Sequence, residues 1–433
     1  MSIPLDRLYH FLADQANRDM LIYRWHPHGS KKPQDLKPLT DYKKHGDRFG
    51  ATNPIMLCHD QEPLNHHLYS ADVILQYLET KSQNAAAMRP FHKAISTWDL
   101  RACVELYNIY DHTLLLHSEQ HSAELEYYSS LGFLPVYYWS HALIARDWYR
   151  YAQHDISLHH AKDIAWDFLI YNRAWSGSRE YRLRFSEGLV DRALVSCCRT
   201  SFSAYCQGTH YLDHSWHNDQ LRIVRRDLES HFVTNTAEPW ASADYCTQDY
   251  QTSMIEVVLE TLVDDSRWHL TEKCLRPIAC AQPFILVATP GSLRYLRSYG
   301  FETFGAVIDE SYDEITDTRK RLDAIQQEMQ RIAHMNAGQK RRMQQELAVI
   351  ARRNQQQFFS QQFHRQVVGE YQQNLQQALV VMEQHRDGQR LTQLKNLLDA
   401  VPGRAVQSRN RTDQLYQRIM QWNQDPRSVP ESW

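Results

Sequence analysis

The tripeptide Thr271-Glu272-Lys273 opens a run, LTEKCLRPIACAQPFILVATPGSLRYLRSYGF (270–301), in which a fixed acid and a fixed base precede an apolar, amphipathic stretch. Thr271 stands where a helix N-cap belongs, and its hydroxyl can accept a bond from a backbone N–H of the first turn. Glu272 suits the positive end of that helix, whereas Lys273 opposes it. A cation there makes sense when an anion is bound at the same end. Glu272 would then accept hydrogen bonds from ribose or sugar hydroxyls. The plainer reading is a threonine cap with two surface charges.

A second constellation is YNRAWSGSREYR (171–182), in which an apolar run ends in Tyr171-Asn172-Arg173 and a small-residue loop leads to Arg179 at a helix start. A strand end, a Ser-Gly-Ser loop and a helix N-terminus favour phosphate, and Arg173 and Arg179 can each make bidentate contacts to a diphosphate. The segment has neither the dinucleotide GxGxxG fingerprint nor a P-loop, and a surface loop with arginines is the alternative. The segment WHPHGSKK (25–32), with His26 and His28, could hold an acceptor phosphate or the donor, and two histidines at i, i+2 without further spaced ligands are a weak metal signal. No HExxH or Cys/His array accompanies the 23 histidines, and Asp264-Asp265 lacks DxD spacing, so no obligatory metal is expected.

These residues need elements to position them. The runs PIMLCHD (54–60), DVILQYL (72–78), HTLLLHS (112–118) and LPVYYWS (134–140) read as buried strands, with helix-like RACVELYNIY and SAELEYYSSLGF between them. Strands alternating with helices predict an open, mostly parallel α/β sheet whose ligands lie beyond the carboxyl ends of the strands. Those ends read His59-Asp60-Gln61-Glu62, His117-Ser118-Glu119 and Ser140-His141. HALIARDWYRYAQHD (141–155) reads as a helix leading away from that sheet. A second set follows: a strand at DFLIYNR, a helix, a strand at the VSCC run, an irregular insertion over 203–250, a strand at SMIEVVLET, the helix LTEKCLRPIACAQ, the strand PFILVAT, the helix GSLRYLRSYG and a short final strand at FGAVIDE. From Thr316 the pattern changes. Leu322, Ile325, Met329 and Ile332, then Met343, Leu347 and Ile350, predict an antiparallel, coiled-coil-like helix pair broken at Asn336-Ala337-Gly338. The expected fold is therefore α/β, with two Rossmann-like halves over 1–155 and 156–315 and a basic, Gln-rich helical extension over 316–433.

Composition narrows the classes. The 433 residues, 42% hydrophobic and 11% aromatic, suffice for two or three domains with sizeable cores. No apolar run is long enough for a membrane span, and the amphipathic, acid-bearing start lacks the layout of a signal peptide. A soluble protein of the cytoplasm is expected, with no membrane partner. The eight cysteines are scattered without a CxxC, as buried or incidental thiols in a reducing compartment would be. Residues 319–433 hold 18 Lys and Arg against 10 Asp and Glu, a net +8 that leaves −11 on the remainder of a chain of net −3. A basic segment on an acidic body hints at a polyanionic partner, and a solvated helix pair explains it equally well.

The Asn-Arg strand end followed by an amphipathic helix, a strand, a TEK helix and a PF strand resembles the donor-binding half of GT-B glycosyltransferases, in a pattern similar to the fucosyltransferase type. This likeness covers about residues 165–315. The segments CHDQEPL, HALIARDWYRYAQHD, YNRAWSGSREYRLRF and the 270–301 run also resemble glycosyltransferase-like proteins of tailed phages, over most of residues 1–320. The resemblance implies a nucleotide-sugar donor and no tightly bound cofactor. It implies that Arg173 and Lys273 neutralise the diphosphate, that Glu272 holds ribose or sugar hydroxyls, and that Glu260, at the end of EVVLET, lines the same pocket. Here the Lys is followed by CLRPI, where the family carries an aromatic-bearing segment. Inverting transfer also needs a general base. In CHDQEPL, Asp60 and then Glu62, beside His59, are the candidates; a turn whose acids cap backbone N–H groups is the rival reading. A retaining enzyme would need no such base.

The phage likeness, the basic tail and the many Trp and Tyr residues suggest DNA bearing a hydroxymethylated base as acceptor, in the host cytoplasm if the chain is phage-encoded. A glycan or protein acceptor is the rival within the enzyme class. Outside that class stands a non-catalytic α/β scaffold whose helical extension serves oligomerisation or binds nucleic acid.

Overall fold

A computed structural model of the chain describes residues 113–386 except 131, 161, 207 and 233–242, together with 8, 11–12, 14–15, 21–24, 37–38, 55–58 and 61–64. The protein is α/β, with two parallel sheets and a C-terminal helical region.

The first sheet contains β1 (Leu21–Arg24), β2 (Lys37–Pro38), β3 (Ile55–Cys58), β4 (Thr113–His117) and β5 (Leu134–Tyr137), in the order β2-β1-β3-β4-β5 with every pairing parallel. The TLLLH of β4 is buried along its whole length, as a strand covered on both faces must be. Helix α1 (Ala123–Ser130) connects β4 to β5. The expected strand at 72–78 and the helix at RACVELYNIY lie outside the described residues.

The second sheet is built from β6 (Trp166–Ile170), β7 (Cys198–Thr200), β10 (Ser253–Leu259) and β11 (Phe284–Val287), in the order β11-β10-β6-β7, again all parallel. All seven residues of β10 are buried. Between β7 and β10 the chain forms the small antiparallel pair β8 (Tyr205–Cys206) and β9 (Thr209–His210), several short 3-10 turns, and α4 (Thr247–Thr252). This is the irregular insertion expected over 203–250, and its Cys206, Tyr211 and Leu228 form a small core with Trp175 and Leu183.

The chain divides into two compact units. One is Trp139–Val368; the other joins the described residues before Trp139 to those from Gly369 onward. These limits differ from the sequence-based boundaries at 155/156 and 315/316. The first unit contains α2 (Ser140–Trp148), α3 (Tyr181–Asp191), α5 (Glu272–Ala279), α6 (Ser292–Ser298), α7 (Thr318–Ala333), α8 (Ala337–Phe359) and the start of α9 (Gln361–Arg386). Leu322, Ile325, Met329, Ile332, Met343 and Leu347 enter the same core as Ile255, Val257, Leu275 and Leu286. The 3-4 spacing thus marks faces that cover the second sheet and its helices. In this respect α7 and α8 depart from the expected separate coiled-coil pair. Asn336 does break them, through a reciprocal capping box with Gln339.

FGAVIDE is a turn, not the expected strand. The carbonyl of Phe304 accepts the N–H groups of Val307 and Ile308, both at 2.9 Å, and Glu310 accepts the Phe304 N–H at 2.6 Å. Phe304 and Ile308, four apart, are both buried, and a helical turn satisfies that spacing where strand alternation would not.

In the other unit, the later part of α9 buries Tyr371, Leu375, Leu379 and Met382 along one face. The Tyr371 hydroxyl donates to the Leu12 carbonyl at 2.7 Å, and Asn374 donates to the Tyr137 carbonyl at 2.8 Å. Among the described residues no helix is long and apolar enough to cross a membrane.

Candidate functional site

Strand order locates the site. From β6 the chain passes to β7 on one side and then to β10 and β11 on the other, so the winding reverses between β6 and β10. In open parallel sheets the crevice beyond the carboxyl ends at such a reversal is where ligands bind. Ile255 pairs with Phe168 and Glu256 with Leu169. Continuing that register sets Asn172 opposite Leu259 and Arg173 opposite Glu260.

Glu260 follows β10 directly and is wholly buried. One carboxylate oxygen, Oε1, accepts the N–H groups of Thr271 at 3.0 Å and Cys274 at 3.3 Å. The other, Oε2, accepts the Thr271 hydroxyl at 2.7 Å and the Thr261 N–H at 3.1 Å. A carboxylate thus satisfies first-turn donors of α5 and sits at the positive end of the helix. Thr271 has the extended backbone of an N-cap, and its oxygen also accepts the Lys273 N–H at 3.4 Å.

Lys273 folds back over this end. Its ammonium donates to Thr261 Oγ1 at 3.3 Å, Thr271 Oγ1 at 3.1 Å and Glu272 Oε1 at 3.0 Å, while 23% of the side chain stays exposed. The second oxygen of Glu272 lies 3.2 Å from Nδ1 of His141, which α2 supplies. The His269 ring stands edge-on to His141 with centroids 5.4 Å apart. Burial pushes the Glu272 carboxyl up, but the Lys273 charge and His141 outweigh it and hold the group well below the ordinary value of 4.5.

A depressed folded pKa gives stability that is present above the unfolded pKa and lost as pH falls through the folded one. Glu272→Gln is therefore expected to cost roughly 1.5–3 kcal/mol at pH 7, the scale of a hydrogen bond to a charged group. Urea unfolding of both proteins should show the difference shrinking as pH falls below 4.5. A pH-independent difference would remove the ion pair as its cause.

At the end of β6, Asn172 is 6% exposed. Its amide donates to Ser186 Oγ at 2.9 Å, while Oδ1 has no protein partner. Arg173 is exposed, and Arg179 is half-buried at the close of a short 3-10 turn. The loop after β6 is tied to the loop after β10 by Arg182, which donates to the Ala174 carbonyl at 2.8 Å, the Leu259 carbonyl at 2.6 Å and the Glu260 carbonyl at 3.3 Å. Tyr181 adds its hydroxyl to the Glu260 carbonyl at 2.5 Å.

The structure thus joins Glu260, Thr271, Glu272 and Lys273 in one bonded cluster and sets Asn172 and Arg173 at the neighbouring strand end. Sequence reading missed Thr261, Tyr181, Arg182 and His269 as parts of this cluster, and it noted His141 at a strand end and at the start of the helix-like run 141–155 without placing it here. The available signal was the helical spacing that carries His141 toward the second sheet. In the first-sheet unit Glu62 is half-buried in a bend after β3, while His26, His28, His59 and Asp60 fall outside the described residues. The buried carboxylate at that edge is Glu119, 2% exposed, which accepts the Leu64 N–H and whose own N–H donates to His117 Nδ1 at 3.3 Å.

Comparison of the chain with family models, curated proteins and solved structures finds no match.

Proposed function

We propose that the chain is a nucleotide-sugar-dependent glycosyltransferase in which the Trp139–Val368 unit binds the donor. The observation that carries this reading is the coincidence of the winding reversal with a lysine, a carboxylate and a half-satisfied amide. The first sheet reverses in the same way, between β1 and β3, so both sheets follow the order 2-1-3-4 counted in chain order. That shared order supports two Rossmann-like halves of GT-B type.

In the donor half the leaving diphosphate needs cationic stabilisation. Lys273 supplies it by exchanging its longest contact, Thr261 Oγ1, for a phosphate oxygen at the positive end of α5. Arg173, exposed opposite Glu260, adds a second cation. Glu272 accepts sugar or ribose hydroxyls, and the open Oδ1 of Asn172 accepts a hydroxyl or base N–H. For the acceptor side, Asp60, Glu62 and His59 remain the proposed base and its neighbour, with His26 and His28 near the acceptor. A hydroxymethylated base in DNA is the proposed acceptor. Arg341, Arg342, Arg352 and Arg353, exposed on α8 at an 11-residue repeat that returns to one face, would meet its phosphates.

A thermal-shift screen of the full chain against UDP, GDP, CMP and their sugars tests the donor site. One nucleotide at about a hundredfold excess over its Kd should add about 2.7 kcal/mol, and Lys273→Ala should lose most of that increment. No increment from any nucleotide on a folded sample would leave LTEK a capped helix and favour the scaffold reading. Binding of duplex DNA that weakens steeply with salt is expected; its absence at low salt would point to a glycan or protein acceptor.

A further inference from the structure

The irregular insertion places two histidines on one carboxylate, away from the cluster at α5. Glu180 immediately precedes α3, and His214 and His217 belong to the stretch HSWHN (214–218) that follows β9. His214 Nε2 lies 3.0 Å and His217 Nδ1 3.3 Å from the same oxygen, Glu180 Oε2, and the three atoms lie within 4.8 Å of one another. That oxygen also accepts the His217 backbone N–H at 2.9 Å, and Oε1 accepts the Asn218 N–H at 2.8 Å.

A carboxylate oxygen offers two lone-pair directions. The backbone N–H takes one, so two imidazole groups are left to share the other. A single cation in the place of two ring protons resolves that competition. Ligand bonds of about 2.0–2.2 Å in tetrahedral geometry set neighbouring donor atoms roughly 3.3–3.5 Å apart; the His217 contact of 3.3 Å matches that spacing, and the His214 contact of 3.0 Å would lengthen slightly around an ion. The surroundings are those of a positioned site. The Glu180 and His214 side chains are 5% and 8% exposed, and the Trp175 and Trp216 rings stand edge-on to His214 at 5.3 and 4.9 Å. The two backbone donors fix the carboxylate, as outer contacts commonly fix metal ligands. His217, by contrast, is 76% exposed, so one side of the cluster faces solvent.

We propose that Glu180, His214 and His217 bind a divalent first-row transition ion of the Zn2+ type, through two imidazole nitrogens and one carboxylate oxygen, with a fourth position open to water or a ligand. Two nitrogens and one oxygen disfavour Mg2+ and Ca2+, which take oxygen donors. The ion fastens the 214–218 segment to the start of α3, the helix whose Tyr181 and Arg182 hold the end of β10. The proposal stands independently of the glycosyltransferase reading.

The test is Co2+ and Zn2+ titration of full-length protein stripped with a chelator, followed by Co2+ ligand-field absorption and by competition with a metal indicator. One equivalent per chain with the absorption of a four-coordinate ion is expected, and His217→Ala should weaken Zn2+ at least tenfold. The exposure of His217 keeps that variant folded, which far-UV circular dichroism checks. His217→Cys should restore binding and add a thiolate-to-Co2+ charge-transfer band. Less than one equivalent bound, or an affinity unchanged in both His217→Ala and Glu180→Gln, would overturn the assignment.

Discussion

Arg276→Met is expected to destabilise the Trp139–Val368 unit by about 3–5 kcal/mol, the scale of stripping one partner from a buried ion pair. Glu256 sits in the middle of β10 at 1% exposure and pairs with Arg276 of α5 at 2.7 Å. The Tyr250 hydroxyl closes the group, accepting from Arg276 at 3.0 Å and donating to Glu256 at 2.7 Å, and the Tyr171 ring lies 4.1 Å from the guanidinium. Burial already raises the Glu256 carboxyl above its ordinary value, with Arg276 and Tyr250 opposing that rise. Without Arg276 the rise is unopposed by a charge. A raised folded pKa means the folded state holds more protons than the unfolded one, so stability of the variant should fall as pH climbs above about 4.5. Urea midpoints between pH 4.5 and 8 test this. Removing both partners in Glu256→Leu with Arg276→Met should recover much of the loss. A double variant as unstable as the single one would show that the loss came from packing.

Arg321→Met should cost nearly as much, about 4 kcal/mol, for a different reason. Arg321 is 1% exposed and bonds no carboxylate among its recorded partners. It donates to the carbonyls of Ala288 at 3.1 Å, Ile315 at 2.6 Å, Thr316 at 3.2 Å and Val263. Val263 follows β10 and Ala288 follows β11, so one guanidinium satisfies the exits of two strands from the first turns of α7. Each buried carbonyl left unpaired costs about 1–3 kcal/mol. Arg321→Lys, with a point charge in place of the fork, should rescue less than half of the loss. Chemical unfolding of the two variants measures both effects, and full rescue by lysine would show that charge alone is sufficient.

Local pattern accounts for what was legible. Continuous apolar runs marked β3 to β6, β10 and β11, and the 3-4 spacing marked α7 and α8, because burial imposes those periods directly. Thr271 was readable as a cap for the same reason, since the residue after it starts a helix. Glu260 was not readable as the main acceptor of that helix end, because its partners lie 11 and 14 positions away and are set by how β10 meets α5. Arg182 and Arg321 act on backbone carbonyls up to 78 positions distant, and such bonds leave no trace in side-chain spacing. The same holds for Glu180, separated from His214 by 34 positions. FGAVIDE misled because its apolar residues fit a strand composition while their burial follows a turn.

The interleaving of the two units has a consequence for synthesis. Trp139–Val368 is one unbroken stretch, whereas the other unit needs Tyr371 and Asn374 beside Leu12 and Tyr137, which precede them by more than two hundred residues. As the chain leaves the ribosome, the inserted unit can close while the earlier sheet still lacks the helix that completes its core. A nascent chain stalled before Gly369 should therefore resist protease over the inserted unit and remain open to cleavage before it. Of the two units, the one whose strands are made earlier is the one finished later.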